Sequence, residues 1–504
     1  MYEATNSPGY DAGGLHGLHP RPPVAGDLSV VGVAVVTALA VRTASPRIAI
    51  VLAMAAVVVF LAAISMPPGD GPSGRRAGRL VAAMLLTLLV AIPAGLFGAV
   101  RSQHSWAALT PDVLGPFSGW VRVVDDPQPY ASSTRVIVEV DGERFEVWAR
   151  GRAQQLRVMQ WRGGEWILVE GERVGLDAER AHRVAWQHVV GRFDLEWASD
   201  VDPGGAVARA SNRVRGTIER AARFVPEPYG SLYRGLVIGD DREQPRDMID
   251  RFRASGLSHL TAVSGQNVAF VLAAFGPLLV RLRPWPRWAL TVTVIAWFVV
   301  ITRFEPSILR AGVMAALAAT AFATGRERST LRILAVAVTV LLLIDPLLAW
   351  SVGFWLSVGA TAGVCTVGPW LASRFAGLGL LALPLGITLG AQLGVVVPSV
   401  MVFGRLPLVS VVANVLAVPV AGFVMLYGLP AGLLAGTIGD AVPWLGSAVM
   451  LPARVGTRWV DTIAILGARL EPAPPWNWLG WIGVVAVVLA WLVVGRFRNR
   501  GSVR

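Results

Sequence analysis

The chain carries two kinds of hydrophobic pattern. Unbroken apolar runs occupy residues 30–41, 48–64 and 80–100, then resume at 257 and continue almost to the end. Runs of this length can cross a bilayer as helices. The late set predicts spans at 258–280, 286–302, 307–323, 331–345, 350–371, 377–398, 408–435 and 478–495. The run at 30–41 is short for a crossing, so 30–41 and 48–64 are expected to pair as a tight helical hairpin. Residues 437–470 are half apolar, which suits a re-entrant or interfacial segment. Between the two sets the period falls to two. Residues 117–124, 135–140, 144–149 and 166–172 alternate apolar and polar positions between Gly, Pro and Asp, the pattern of short β-strands. A segment of about a hundred such residues suits a small barrel of OB type. The expected fold is a polytopic α-helical membrane protein of about 10–11 spans with one small extracytoplasmic OB-like β-barrel inserted.

Composition agrees. Of 504 residues, 54% are hydrophobic and 15% charged, whereas soluble domains sit near 45–50% and about 25%. Six segments are expected: a disordered cytoplasmic tail at 1–29, the hairpin plus a third span at 30–100, and the barrel at 101–203. An amphipathic interfacial segment at 204–256, a multi-span domain at 257–496 and a basic tail at 497–504 follow. The tail at 1–29 lacks the order of a cleavable signal peptide. Arginines at 75, 76 and 79, at 281, 283 and 287, and at 326, 328 and 332 mark cytoplasmic loops, and 496–500 a cytoplasmic C-terminus. The net charge is +12, and all 45 basic residues are arginine, a side chain suited to bidentate phosphate contacts. The barrel segment nevertheless holds 12 arginines against 16 acids, so any nucleic-acid face on it must be local. The single cysteine, Cys365, permits no intramolecular disulfide and is expected to pack as a small hydrophobe.

Within the barrel segment, Arg144, Arg150, Arg152 and Arg157 interleave with Trp148 and Trp161. Stacking rings among phosphate-binding cations suit single-stranded nucleic acid. Residues 204–224 read as a basic amphipathic helix lying where arginines meet lipid phosphates. Asp240 and Asp241 could hold a metal, but without a third ligand at a useful spacing they read as a solvated turn or helix cap. Polar groups at bilayer depth are costly and usually face a bundle interior or a wet path. His259, Ser264, Gly265, Asn267, Arg310, Asp345, Gln392 and Asn414 form such a set. No catalytic or metal site and no cofactor are expected: Ser264 and His259 are not spaced as nucleophile and base, and Gly-x-Ser-x-Gly and His-Glu-x-x-His are missing. Two other function classes fit parts of the pattern. A secondary transporter of a small anion would use the helices broken at Pro384, Pro398 and Pro430. An intramembrane hydrolase would use Ser264 or His259.

The motifs resemble a family, the ComEC competence proteins, inner-membrane channels of bacterial DNA uptake. The resemblance rests on Leu236-Val-Ile-Gly-Asp240 followed by Ser255-Gly-Leu-Ser-His-Leu-Thr-Ala-Val-Ser-Gly265. Further support comes from Pro306-Ser-Ile-Leu-Arg-Ala-Gly-Val-Met314, Asp345-Pro-Leu-Leu-Ala-Trp-Ser-Val-Gly-Phe-Trp-Leu-Ser357, and the pairs Gln392 with Pro398 and Asn414 with Pro419. It covers roughly residues 30–495 and departs at Ser264-Gly-Gln-Asn267, where many members have Ser-Gly-Leu-His. It implies a channel for single-stranded DNA in the cytoplasmic membrane, with the barrel receiving the strand. Many members also carry a metallo-β-lactamase-like domain; this sequence contains no His-x-His-x-Asp-His, so a short form is expected. The partners implied are single-stranded DNA, the lipid bilayer, a DNA-binding receptor protein, a cytoplasmic ATPase and a separate nuclease. Assembly as a homodimer is left open.

Overall fold

The computed structural model describes residues 25–47, 50–51, 72–130, 132–261, 265–326, 328–404, 406–473, 476–484 and 486. The tail expected at 1–29 lies outside them as far as residue 24, and so do most of the 48–64 run, Ser264 and the tail at 497–504. From Ala25 the chain is already helical.

Helix α1 (Ala25–Thr43) packs along α2 (Pro72–Ala107). At 36 residues α2 is about 54 Å long, well beyond the hydrocarbon core of about 30 Å. Its last turns are therefore polar and committed to neighbours. Ser102 Oγ donates to the Val41 carbonyl at 2.9 Å, and Arg101 donates to that of Ile344 at 2.7 Å.

Four strands fall where the period-two pattern placed them: β1 (Gly115–Val123), β3 (Ser133–Val140), β4 (Glu143–Arg150) and β5 (Trp166–Gly175). A two-residue strand, β2 (Gln128–Pro129), lies between β1 and β3, helix α3 (Arg152–Val158) precedes β5 and helix α4 (Ala178–Val184) follows it. A further strand, β6 (Val189–Asp202), was not anticipated. Its apolar positions are interrupted by Gly191 and by a run of acids, which hides the alternation. It is nonetheless central, pairing antiparallel with β5 and parallel with β4. With β1 paired to both β5 and β3, the five long strands close a ring β1–β3–β4–β6–β5–β1. Inward residues such as Val121, Val138, Phe145, Val147, Ile167 and Phe193 fill it.

Helices α5 (Ala206–Ala222), α6 (Tyr229–Ile238) and α7 (Arg246–Ala254) follow. Next come α8 (Gly265–Ala274), α9 (Pro284–Ile301), α10 (Pro306–Ala323), α11 (Thr330–Ile344), α12 (Val352–Arg374), α13 (Ala382–Phe403), α14 (Ser410–Ile438) and α15 (Pro443–Leu470). Among the described residues, five helical stretches have the length and composition to cross a membrane: α9, α10, α12, 376–403 and α14. The chain is a polytopic, mainly helical membrane protein.

Three expectations change here. The segment at 204–256 does not lie at the periphery: α5 and α6 pack on α14, and α7 on α15, in the largest apolar core. Room comes from a glycine stripe on α14. Gly428, Gly432 and Gly436 face Tyr233 and Thr217, and the fully buried Tyr233 hydroxyl donates to the Gly428 carbonyl at 2.7 Å. Over the span expected at 258–280, the described residues are helical at Ser258–Thr261 and in α8, and the helix is interrupted at Phe275 before a turn at Gly276–Leu279; residues 262–264 lie outside the described residues. Residues 437–470 end as one long helix, α15, not a re-entrant loop; its Asp461 receives Arg251 Nε at 2.7 Å.

Helices α12 and α13 cross antiparallel with backbones in contact. Gly359, Gly363 and Gly368 meet Gly394, Gly390 and Gly386, and a Cβ on Gly363 or Gly390 would fall on the opposing main chain. Small-residue spacing of this kind drives helix association in lipid through close packing. Gly363→Leu should therefore separate the pair and lower the detergent melting temperature by several degrees. Gly353→Ala, whose new methyl would find only Ser351 Oγ at 3.9 Å, should leave it unchanged. Equal melting of the two variants would refute the crossing.

Candidate functional site

The polar residues expected along a membrane path resolve into two points of contact and some strays. At the first, Arg310 in the opening turn of α10 is 4% exposed. Its Nε donates to Ser357 Oγ on α12 at 2.9 Å, and Nη1 lies 2.9 Å from Met314 Sδ. Gly265 makes room for it, since a Cβ there would stand 2.7 Å from Nη2. No carboxylate pairs with Arg310 among the described residues. Asn267, two residues on from Gly265, donates to the Leu236 carbonyl at 3.0 Å and ties α8 to α6. At the second point, Gln392 on α13 donates to Ser410 Oγ on α14, under Gly256. Gln392 Oε1 and, on α14, Asn414 Oδ1 are buried acceptors without a partner among the described residues. Ser264 lies outside the described residues, and His259 is exposed.

Asp345 departs from its expected role as path lining. Its carboxylate caps the turn at Pro346–Trp350 through Leu347 N (3.1 Å) and meets His188 Nε2 at 3.0 Å. It is a clasp between ring and helices. Beside it, Trp106 packs on both His182 and Trp350, and the Arg42 guanidinium lies 5.0 Å above the Trp350 ring.

A second, larger clasp was missed by the sequence. Asp126, just after β1, accepts from Gly163 N (2.9 Å) and Arg303 Nη2 (3.0 Å) and pairs with Arg215 Nη2 at 2.6 Å. Arg215 also donates to the carbonyls of Ile238 and Ile301. Asp240, 2% exposed, pairs with Arg242, which reaches Glu219 and through it Arg162. Asp240 is thus a buried partner of arginine, not a solvated turn; the turn itself is Gly239, left-handed at the end of α6. Likewise Arg215 faces a carboxylate rather than lipid. One signal was available, since Ser211, Arg215, Ile218 and Ala222 share the buried stripe of α5. Burial opposes ionisation of Asp126, but Arg215 and Arg303 outweigh it and hold its carboxyl far below the ordinary range. Its neighbour Asp125 lacks such a partner, and burial together with the Asp126 charge pushes it up to about 6.

Of the residues expected to bind nucleic acid, Arg150, Arg152 and Arg157 are exposed around α3. Arg144 is tied to the Gln187 carbonyl at 3.1 Å. Trp148 is half-buried between Tyr130, 5.1 Å away, and the Arg180 guanidinium, also at 5.1 Å. Trp161 must be withdrawn: it is 3% exposed inside the ring core. Exposed rings are found instead at Trp120, Trp166 and Trp197.

A multi-span membrane protein with a closed β-ring clasped to its helices is the class that this geometry defines. The family described as Competence protein matches residues 236–498, over half of the chain. The chain belongs to that family, the ComEC competence proteins. It is 28% identical over 269 residues to Uncharacterized protein YcaI of Escherichia coli, across 50% of this chain and 34% of that one. It is 25% identical over 275 residues to ComE operon protein 3 of Bacillus subtilis (53% and 35%). With Competence protein ComA of Neisseria gonorrhoeae it shares 28% identity over 262 residues (44% and 37%). The chain thus spans roughly a third of the length of the curated relatives it matches. No solved structure matches it.

Two outcomes follow for stability. Arg215→Ala leaves Asp126 buried and short of its main partner, and should cost about 3–5 kcal/mol, read as loss of cooperative melting or of expression. Asp125 is harder to ionise in the fold than in the unfolded chain. Its contribution is full below the unfolded pKa near 3.8 and is lost as pH rises through about 6. Asp125→Asn should therefore raise stability at pH 7.5, by on the order of 1–3 kcal/mol, and leave it unchanged at pH 4. A variant destabilised at pH 7.5 would contradict this account.

Proposed function

We propose that this chain conducts single-stranded DNA across the cytoplasmic membrane during competence, with the β-ring on the outer side as receiver. The carrying observation is Arg310, a buried guanidinium in a membrane-crossing helix that meets a hydroxyl and a thioether but no described carboxylate. An uncompensated cation at such depth is expensive. A passing phosphate supplies the missing charge, and a hydroxyl and a thioether hold the cation loosely enough to let each phosphate go. Gln392 Oε1 and Asn414 Oδ1, without partners among the described residues, add acceptors on adjacent helices for base N–H groups.

The receiving ring reads as an OB-like barrel. Its order β1–β3–β4–β6–β5–β1, the parallel β4–β6 pair and the helix between its third and fourth strands support this reading. In that class the second and third strands and the flanking loops bind oligonucleotides. Trp148 lies on β4, Tyr130 and Arg180 on the two loops, so a stacking site falls there. Driving force, capture and degradation of the second strand fall to partners: an ATPase, a receptor and a nuclease.

The test is import of labelled DNA into cells with this gene deleted and complemented. Cytosolic entry should require the wild-type copy. Arg310→Ala should reduce entry by at least about tenfold, with protein levels unchanged, and Arg310→Lys should restore part of it. Entry unaffected by the deletion would refute the channel and favour transport of a small anion.

A further inference from the structure

Where the ring meets α5 and α6, a cleft of about 700 Å³ opens. Six arginines line it (Arg162, Arg213, Arg220, Arg223, Arg234 and Arg242) against Glu219, Glu227 and Glu243. Part of this charge is neutralised within the protein: Arg162 and Arg242 share Glu219, and Arg234 pairs with Glu243. The rest is not. Arg213 and Arg223 are exposed and take part in no ion pair among the described residues. Arg220 spends Nε on the Gly436 carbonyl and Nη2 on Thr217 Oγ1, both at 3.0 Å, and meets no carboxylate among the described residues. Arg234, only 7% exposed, keeps Nε without a partner.

The spacing is also regular. Positions 213, 216, 220 and 223 follow one face of α5, and the residue at 216 is glycine. A Cβ there would stand 3.2 Å from Arg162 Nη1 and 3.9 Å from Arg220 Nη1. Two guanidinium groups, one from the ring and one from the helix, therefore converge over a bare stretch of backbone. Planar guanidinium forks with free N–H groups match phosphate oxygens, and three unneutralised cations along one face match successive phosphates of a chain.

We infer that this cleft is a phosphate-binding track for single-stranded DNA, centred over Gly216 between Arg162 and Arg220, with Arg213 and Arg223 flanking it. This rests on the proposed function, and it moves the charged contacts from the ring surface to its seam with the helices. A lipid headgroup carries the same phosphate, but one wall of the cleft, Met159 to Arg162, belongs to the ring rather than to a membrane-spanning helix.

The test uses the full chain in phosphatidylcholine nanodiscs and the anisotropy of a fluorescein-labelled oligothymidylate across a salt series. Each phosphate contact on a single strand contributes about 0.7 to the slope of log affinity against log salt. The double variant Arg213→Gln/Arg223→Gln should lower that slope by about 1.4 and weaken low-salt binding at least about tenfold. The charge-matched Arg281→Gln/Arg283→Gln should leave both unchanged. If the cleft variant binds like wild type, or the control loses as much, the track is refuted while the channel reading stands. If wild type takes no oligothymidylate at any salt, the reading of the ring as DNA receiver fails with it. If the cleft variant instead loses co-purified anionic lipid with oligothymidylate binding intact, the site belongs to lipid and the inference is overturned.

Discussion

The contact between Asp126 and Arg215 is the constraint on which the architecture turns. It joins a loop of the β-ring to a helix 89 positions later, and Arg303, 177 positions from Asp126, closes on the same carboxylate. A carboxylate at this depth is tolerable only with its donors in place, so ring, α5 and the α9–α10 turn must assemble together. The backbone yields to this demand. Arg303 and Phe304 are both left-handed, with φ of 58° and 59°, a conformation costly for residues with side chains. The guanidinium of Arg303, held by Asp126 and Asn212, keeps the turn in place. Gly163 answers it from the ring, because a Cβ there would touch Arg303 Nε.

Arginine as the sole basic residue suits this arrangement. A lysine buried like Arg215 would shed its proton, whereas a guanidinium stays charged. The arginine cations of the seam are thus fixed, and pH acts there through other groups, among them the carboxyl of Asp125. Fixed charge also separates two uses of arginine in one molecule. Arg215 and Arg242 are saturated by acids and hold structure; Arg310, Arg213 and Arg223 meet no acid among the described residues, as the proposed DNA contacts require.

Much of the fold was readable because period and length survive in the sequence. Residues 286–302 and 307–323 appear as helices within two residues of the expected bounds, and the four anticipated strands are all present. A recurrent cause of failure is the ambiguity of amphipathic patterns. Residues 206–222 show the same periodicity whether the polar face meets water, lipid or a buried Asp126, and only tertiary contact decides. Trp161 looked like a stacking ring because arginines flank it, yet its position after α3 turns it into the ring core. Asp240 was legible as a turn or cap and Asp345 only as a polar group, because their partners Arg242 and His188 lie around a corner or on another element. The buried polar residues Arg310, Gln392 and Asn414 were legible as polar groups within apolar runs; their separation into an Arg310 point and a Gln392 point was not, since it depends on which helices touch.

The glycine-lined crossing of α12 and α13 bears on how the protein is made. A helix gives up about 1 kcal/mol for each internal glycine relative to alanine, so neither helix is well founded by itself in the membrane. The stabilisation returns only when the two main chains touch. They are linked by the short turn at Ala376–Leu381, so the second helix reaches the bilayer soon after the first. The pair is therefore best understood as a single biosynthetic unit, inserted as a hairpin and already closed before α14 arrives to receive it.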